Sequence, residues 1–404
     1  MCGIFGYIGF REAAPLLIDG LRRLEYRGYD SAGLAVHNGG LEVHKCIGRV
    51  DELAAIVPSN MSGMTGIAHT RWATHGKVTD ANAHPHTSED GSVAIVHNGI
   101  IENSRALRNW LMAEGVLLRS DTDSEVIAHL VQRARADGLS PVDSVRRALS
   151  HTRGTWGLCA VFSDEDIIIC ASNGSALVVG IGDGETYVAS DQQSLTAHTK
   201  RVIILNDGDI AELTAGDVQT GRLDGGVSGA QITTIDESWG EAELGDYPHY
   251  MLKEIHEQPE ALRQCISGRT LLADGNAKLG GLDLTPQELQ AIPHVRLIGC
   301  GTALHACQVG RLAIERLARV PALAHVASEF RSNDPVIDPA ALHFAVSQSG
   351  ETADTLSAVK EIQLKNAQVM GVINVVGSSI ARQCGQGVYI HSGPEQAVAS
   401  TKAF

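Results

Sequence analysis

The sequence predicts an α/β protein in two unlike parts. The first is a layered α+β domain with much antiparallel pairing, and the second a doubly wound parallel α/β domain that is incomplete at its C-terminus. Three observations carry this expectation. The chain has 404 residues, more than one ordinary core organises, so two domains are the default. Up to about residue 215 short apolar runs are broken by Gly, Asn and Asp. After Tyr247 apolar strands alternate with amphipathic helices, the pattern of a parallel sheet covered on its faces.

Taken in order, the stretches SAGLAVHNGG, GSVAIVHNGI, DEDIIICASNG and KRVIILNDGDIAEL read as strands closed by turn residues. TDSEVIAHLVQRARADG carries acidic and hydroxyl residues at its start and Gly after its end, the signature of a helix. The glycine-rich, acidic stretch TGRLDGGVSGAQITTIDESWGEAELGD has weak periodicity and reads as linker. HVRLIGCGTALHACQVGRLAIERLA is strand, glycine turn and helix, and LHFAVSQSGETADTLSAVKEIQLKNA repeats the plan. VMGVINVVGSSIARQC and GVYIHSG add further strands. The predicted organisation is a domain over 2–218, a linker over 219–246 and a second domain over 247–404. The last residues, GPEQAVASTKAF, bring no covering helix, so the second domain is expected to be a piece of a longer one.

Composition narrows the function classes. A formal net charge of −15 argues against a nucleic-acid binder. No apolar stretch reaches transmembrane length, and the N-terminus lacks the basic start and apolar core of a signal peptide, so the cytoplasm is the expected compartment and no membrane partner is expected. The eight cysteines include no C-x-x-C pair, which argues against a disulfide framework and a zinc site. Most read as small buried hydrophobes; Cys2 differs by its position.

Once Met1 is removed, Cys2 carries a thiol and a free α-amine on one residue. The amine, with an ordinary pKa of about 7.7–8.0, can serve as the base that deprotonates the thiol. Attack on an amide also needs oxyanion donors and a substrate clamp. Asn98 and Gly99 offer a side-chain N–H and a backbone N–H that can approach closely. Arg71 can hold a carboxylate bidentately, and Asp123 can receive an ammonium. A substrate with both groups is an amino acid, and glutamine adds a reactive amide. Each piece has a plainer alternative: Asn-Gly as a hairpin turn, Asp123 as an N-cap, Arg71 as a surface ion pair, His75 as a loop histidine. The set gains specificity from a cysteine at the one place where its own amine can help.

The segments MCGIFGYIG, LEYRGYDSAG, GIAHTRWATHG, NAHPH, HNGIIEN and SDTDSEVIAHL resemble class II glutamine amidotransferases of the N-terminal-nucleophile kind. GCGT, SQSGETADT and GPEQAVASTK are similar to the sugar isomerase (SIS) family, and the two sets run collinearly over essentially the whole chain, as in amidotransferases that aminate a ketose phosphate. The resemblance implies an N-terminal-nucleophile sandwich followed by a SIS domain. It implies Cys2 as nucleophile, Asn98 and Gly99 at the oxyanion hole and Arg27 in a loop near the same site. It further implies that Arg71, Trp72, Thr74, His75, Gly99 and Asp123 surround glutamine, with Trp72 as a gate for ammonia. In the second domain it implies Gly301, Thr302, Ser347, Gln348, Ser349, Thr352 and Val398 as sugar-phosphate contacts, helped by a positive helix end. For Ser349 and Thr352 ordinary helix capping is the plainer role, and the two roles can share the same N–H groups.

The substrates so implied are L-glutamine and fructose 6-phosphate, giving glucosamine 6-phosphate and glutamate in a homodimer, with no metal and no organic cofactor. Departures from the pattern are Ala303 where a Ser is usual, Ser172-Asn173-Gly174-Ser175-Ala176 where Arg-x-Gly-Ser-Pro is usual, and Val376 in place of Pro. The residues for isomerisation and ring opening lie in a further SIS subdomain, so this chain alone is expected to keep at most the glutaminase chemistry. Open alternatives are a synthase aminating another sugar phosphate, a different class II amidotransferase, and a catalytically silent sugar-phosphate-binding regulator.

Overall fold

The computed structural model describes residues 2–73, 76–235, 244–271, 273 and 275–404. The chain divides into two compact units, Met1–Asp236 and Glu237–Phe404.

In the first unit the chain runs β1 (Gly3–Ile8), α1 (Ala13–Leu24), β2 (Ser31–His37), β3 (Leu41–Ile47), α2 (Val50–Ile56), β4 (Thr65–Arg71), β5 (His86–Thr87), β6 (Val93–Ile101), α3 (Ser104–Ala113), α4 (Glu125–Ala136) and α5 (Pro141–Ser150). It continues with β7 (Gly154–Phe162), β8 (Ile168–Asn173), β9 (Val178–Ile181), β10 (Thr186–Ala189), β11 (Arg201–Ile204), β12 (Asp209–Thr214), β13 (Asp217–Arg222) and β14 (Ile232–Thr234). Two sheets result, an eight-stranded one in the order β14-β11-β9-β10-β1-β4-β2-β3 and a six-stranded one in the order β13-β12-β8-β7-β6-β5.

The alternation of β1 explains the layering. Phe5 and Tyr7 point to one face, where Leu17, Leu21 and Leu24 of α1 cover them. Ile4 and Ile8 point to the other, against Val96, Cys159 and Val161 of the second sheet. That sheet buries Ile95, Leu158 and Ala160 under α4 and α5. The order is therefore helix, sheet, sheet, helix, and β1 is apolar on both sides because it is covered on both. Ser140 starts α5 by accepting the Asp143 N–H at 3.2 Å, with Pro141 in the first turn, the usual start signal.

The stretch read as linker over 219–246 holds strand residues at both its start and its middle. β13 pairs along β12 from Asp217↔Thr214 to Arg222↔Asp209, and β14 adds to β11 through Ile232↔Ile203. Both are edge strands with little buried surface, so backbone pairing defines them and hydrophobic pattern does not.

The second unit carries α6 (Tyr250–Ile266), β15 (Thr270–Leu271), β16 (Asn276–Ala277), α7 (Pro286–Ala291), β17 (Val295–Gly299), α8 (Thr302–Leu317), β18 (Ala322–Val326), α9 (Ala327–Ser332), β19 (Leu342–Ser347), α10 (Ala353–Leu364), β20 (Val369–Ile373), α11 (Ser379–Cys384) and β21 (Gly387–Tyr389). The main sheet is parallel throughout, in the order β18-β17-β19-β20-β21. One face packs on Phe330, Ala358, Val359, Ile362 and Ile380 of α9, α10 and α11; the other meets α8 through Ala303 and Cys307. Part of VMGVINVVGSSIARQC, read as strand, forms the short helix α11 instead. The direction of winding reverses between β17 and β19, so a crevice lies at the carboxyl ends of these two strands.

Candidate active site and sugar-phosphate loops

Cys2 stands just ahead of β1. The pairing Gly3↔Thr70 brings it to the end of β4, and its Sγ accepts the Trp72 N–H at 3.3 Å and faces Trp72 O at 3.5 Å. Burial pushes the Cys2 thiol above its ordinary value, and the Trp72 N–H opposes that shift. A thiol held protonated in this way needs a dedicated base before it can attack. The loop carrying Arg27 presses on the same place. A Cβ added to Gly28 would lie 2.7 Å from the Arg71 carbonyl carbon and 2.8 Å from Trp72 N, so only glycine permits the approach. Arg27 itself is buried. Its Nη1 donates to Ser190 O at 3.2 Å and pairs with Asp191 at 3.4 Å, while Ser190 Oγ accepts the Ile4 N–H at 3.0 Å. Arg27 thus ties its loop to the strand beside β1.

Asn98 reaches the Cys2 backbone from the other sheet, with Gly99 next to it on β6. Asn98 Nδ2 donates to Cys2 O at 3.2 Å, and Asn98 Oδ1 lies 3.0 Å from His69 Nε2. Gly99 has φ +138°, and a Cβ there would stand 2.2 Å from Thr155 O. Asp123 is buried, and its Oδ2 accepts the Ile101 N–H at 2.7 Å. The N-cap of α4 is Ser124, so Asp123 serves the end of β6 and not the start of the helix. Arg71 is also buried; desolvation lowers its pKa against the opposing pull of Cys2, Asp30 and Asp123. Trp72 is 39% exposed and meets the edge of Tyr29 with ring centroids 5.5 Å apart. The structure therefore brings the Trp72 N–H to the Cys2 thiol, the Asn98 amide to the Cys2 carbonyl, and Arg71 near enough for its charge to act on the thiol; Gly99 is the next residue of β6. Thr74 and His75 lie outside the described residues.

The sequence reading missed the buried histidines behind these groups. The rings of His69 and His84 lie tilted with centroids 4.2 Å apart, and those of His84 and His86 meet edge to face with centroids 4.4 Å apart. His97 Nδ1 bonds Ser124 Oγ at 2.8 Å. Burial lowers the pKa of all of them, that of His69 to about 3, so they are neutral at neutral pH. A signal was present: His69 is two residues before Arg71 on β4, hence on the same face.

In the second unit Gly301, at φ +57°, precedes Thr302, the first residue of α8. The loop after β19 leads into α10. Both helix starts lie at the carboxyl ends of adjacent strands, where N–H groups and helix dipoles favour an anion. The hydroxyls of this loop bond their own backbone: Ser347 Oγ accepts the Gly350 N–H at 3.0 Å and lies 3.3 Å from Thr352 Oγ1, and Ser349 Oγ accepts the Glu351 N–H at 3.2 Å. Thr352 is the N-cap residue of α10 but makes no side-chain cap. Ala303 is buried in the cluster under α8. Val398 is 63% exposed, on a segment tied through Glu254, which accepts the N–H groups of Gln396 and Ala397. Among the described residues no cluster of three or more His, Cys, Asp or Glu can hold a metal ion, and no helix is long and apolar enough to cross a membrane.

A glutamine amidotransferase domain model matches residues 69–211 and a SIS domain model residues 288–404. Over the whole of this chain, the glutamine--fructose-6-phosphate aminotransferase [isomerizing] of Chlorobaculum tepidum is 47% identical, with 67% of its own length covered. The chain belongs to the glutamine–fructose-6-phosphate aminotransferase family. The relative of that name from Symbiobacterium thermophilum is 48% identical over 100% of this chain and 66% of its own, so the chain spans about two thirds of the length of such aminotransferases. The solved glutamine phosphoribosylpyrophosphate amidotransferase from B. subtilis shares the fold, with a TM-score of 0.50 at 17% identity, covering 97% of this chain and 91% of its own.

Proposed function

We propose that the first unit hydrolyses L-glutamine at Cys2, and that in the whole protein the released ammonia aminates fructose 6-phosphate bound at the second unit, giving glucosamine 6-phosphate and glutamate. The observation that carries the first half is that Cys2 meets both the Trp72 N–H, at its sulfur, and the Asn98 amide, at its carbonyl oxygen. After Met1 is removed, the Cys2 amine takes the thiol proton, and the sulfur attacks the amide carbon. The carbonyl electron pair moves to oxygen, where Asn98 Nδ2 and Gly99 N–H receive the negative charge. Collapse returns that pair, the C–N bond breaks, and the proton held by the amine leaves with ammonia. Water then cleaves the thioester to glutamate and the free thiol. Arg71 takes the substrate carboxylate and Asp123 its ammonium, with Thr74, His75 and Trp72 completing the pocket and Arg27 holding its loop.

In the second unit Gly301, Thr302, Ser347, Gln348, Ser349 and Thr352 receive the sugar phosphate, and Val398 contacts the sugar. The β17–β19 crevice supports this reading, because two helix starts converge there. The 404-residue chain by itself performs the glutaminase half; the whole protein works as a homodimer in the cytoplasm. The deciding experiment measures glutamate and ammonia release together with intact mass. Glutamine turnover from chains that start at Cys2, lost in Cys2→Ala by about 10³-fold or more, is expected. Equal turnover by Cys2→Ala, or by chains that retain Met1, overturns the reading.

A further inference from the structure

The amide of Asn98 has two ends of nearly equal shape and opposite polarity. Only the nitrogen end can serve a developing oxyanion; the oxygen end would repel it. Something must therefore fix the rotation of this side chain. Cys2 O can only accept, so it fixes Nδ2 toward Cys2 at 3.2 Å, and Oδ1 then turns to His69 Nε2 at 3.0 Å. A carbonyl oxygen accepts, so His69 Nε2 must carry the imidazole proton. Its Nδ1 is then a bare acceptor, and it is buried without a hydrogen-bond partner. A hydrocarbon side chain would fill the same place without leaving a polar atom unsatisfied. The ring is confined: His69 is fully buried, its backbone pairs with Ile4 and Gly33 on the two neighbouring strands, and its ring lies tilted against that of His84.

We infer that His69 is a positioning residue for glutamine hydrolysis: it locks Asn98 with its N–H directed at the oxyanion formed on the Cys2-bound substrate. The inference rests on the proposed glutaminase reading. His69 touches neither substrate nor thiol in this role and acts only through Asn98, which distinguishes it from a residue that shapes the pocket. Its loss should therefore fall on the chemical step and not on glutamine binding.

The test is a set of kinetic measurements on the whole chain, with kcat expressed per Cys2 thiol titrated, so that unfolded molecules do not count. His69→Phe is expected to lower kcat by about 10–100-fold while KM for glutamine stays within about 3-fold. His69→Gln, whose amide nitrogen reaches the place of Nε2, is expected to keep kcat within about 3-fold of the parent. Should His69→Phe not fold, His69→Asn takes its place, because its shorter amide imitates Nδ1 and stops short of Asn98. In an Asn98→Ala background the same His69 substitution should cost nothing further, the non-additivity expected of residues acting as one unit. An unchanged kcat in His69→Phe, a loss confined to KM, or an equal loss with and without Asn98 overturns the inference. Cys2→Ala separates the two levels. If it is inactive while His69→Phe is normal, only the His69 assignment falls; if it is active, the glutaminase reading falls first.

Discussion

Near Cys2 the polar groups are particular side chains from β4, β6, the loop after α1 and the turn before α4, several held by a named partner: Asn98 by His69, Arg27 by Ser190 and Asp191, Asp123 by the Ile101 N–H. At the ends of β17 and β19 the polar groups are mostly backbone N–H of two helix starts, and the nearby hydroxyls of Ser347 and Ser349 are satisfied by the loop itself. The first unit specifies chemistry through orientation of few groups. In the proposed reading the second would bind its anion through topology, because a parallel sheet with this winding opens a crevice there. The first arrangement should be sensitive to single side chains and to proton uptake, and the second to backbone shape.

Acid should give the largest separation between the units. In the first, burial depresses the pKa of His69 to about 3, and lowers those of His84, His86 and His97 as well, from an ordinary 6.5. As pH falls below that ordinary value the unfolded chain binds protons that the folded unit refuses, so stability rises with pH and is lost on acidification. Each such histidine contributes a slope of about 1.4 kcal/mol per pH unit between the two pKa values. The second unit holds His343, lowered to about 4, and His325. Unfolding between pH 7.5 and 5.5, followed by amide exchange in β6 for the first unit and in β19 for the second, should show the steeper loss in the first. Equal slopes would remove the comparison.

Asn98→Ala comes next. Removing one preorganised oxyanion donor costs about 10²–10³ in kcat, and glutamine KM should change little because the substrate clamp is elsewhere. A loss below about 10-fold would mean that the backbone N–H of Gly99 carries most of the stabilisation. The first site would then resemble the second more than its geometry suggests.

Much of this was legible from sequence, for separable reasons. Cys2, Arg71, Asn98 and Gly99 sit in short stretches whose residue types are demanded by the chemistry, so they could be picked out before any coordinates. The parallel sheet followed from strands alternating with helices, and β17 and β19 are where HVRLIG and LHFAVS place them. Spacing on β4 puts His69 on the face of Arg71, but its contact with Asn98 was not legible, because nothing local says that a residue on one sheet meets one on the other; that contact is made by packing Ile4 and Ile67 against Val96. For Asp123, read as a carboxylate that can receive an ammonium, the plainer N-cap role drops out, because its Oδ2 accepts the Ile101 N–H and Ser124 caps α4. β13 and β14 escaped because exposed edge strands carry no apolar alternation.

The smallest effect expected here probes the second site by its backbone. Gly350 lies between β19 and α10 with φ +66°, and a Cβ there would stand 1.9 Å from Ser378 Oγ and 2.5 Å from Ser378 Cβ. Rotating the hydroxyl away does not help, because the Cβ contact remains. Gly350→Ala should therefore cost about 1–3 kcal/mol, read as a lower unfolding midpoint of the second unit, and should reduce the thermal shift that fructose 6-phosphate gives. Ser378 makes no side-chain cap for α11, so adding Ser378→Gly removes the collision at little cost to the helix start. The double variant should recover the steric part of the loss and retain the part that comes from φ. Full recovery would show that the left-handed backbone costs nothing at this position; no recovery would show that the loop had moved away from Ser378. Either result would replace fixed backbone shape with an adaptable loop as the basis of the second site.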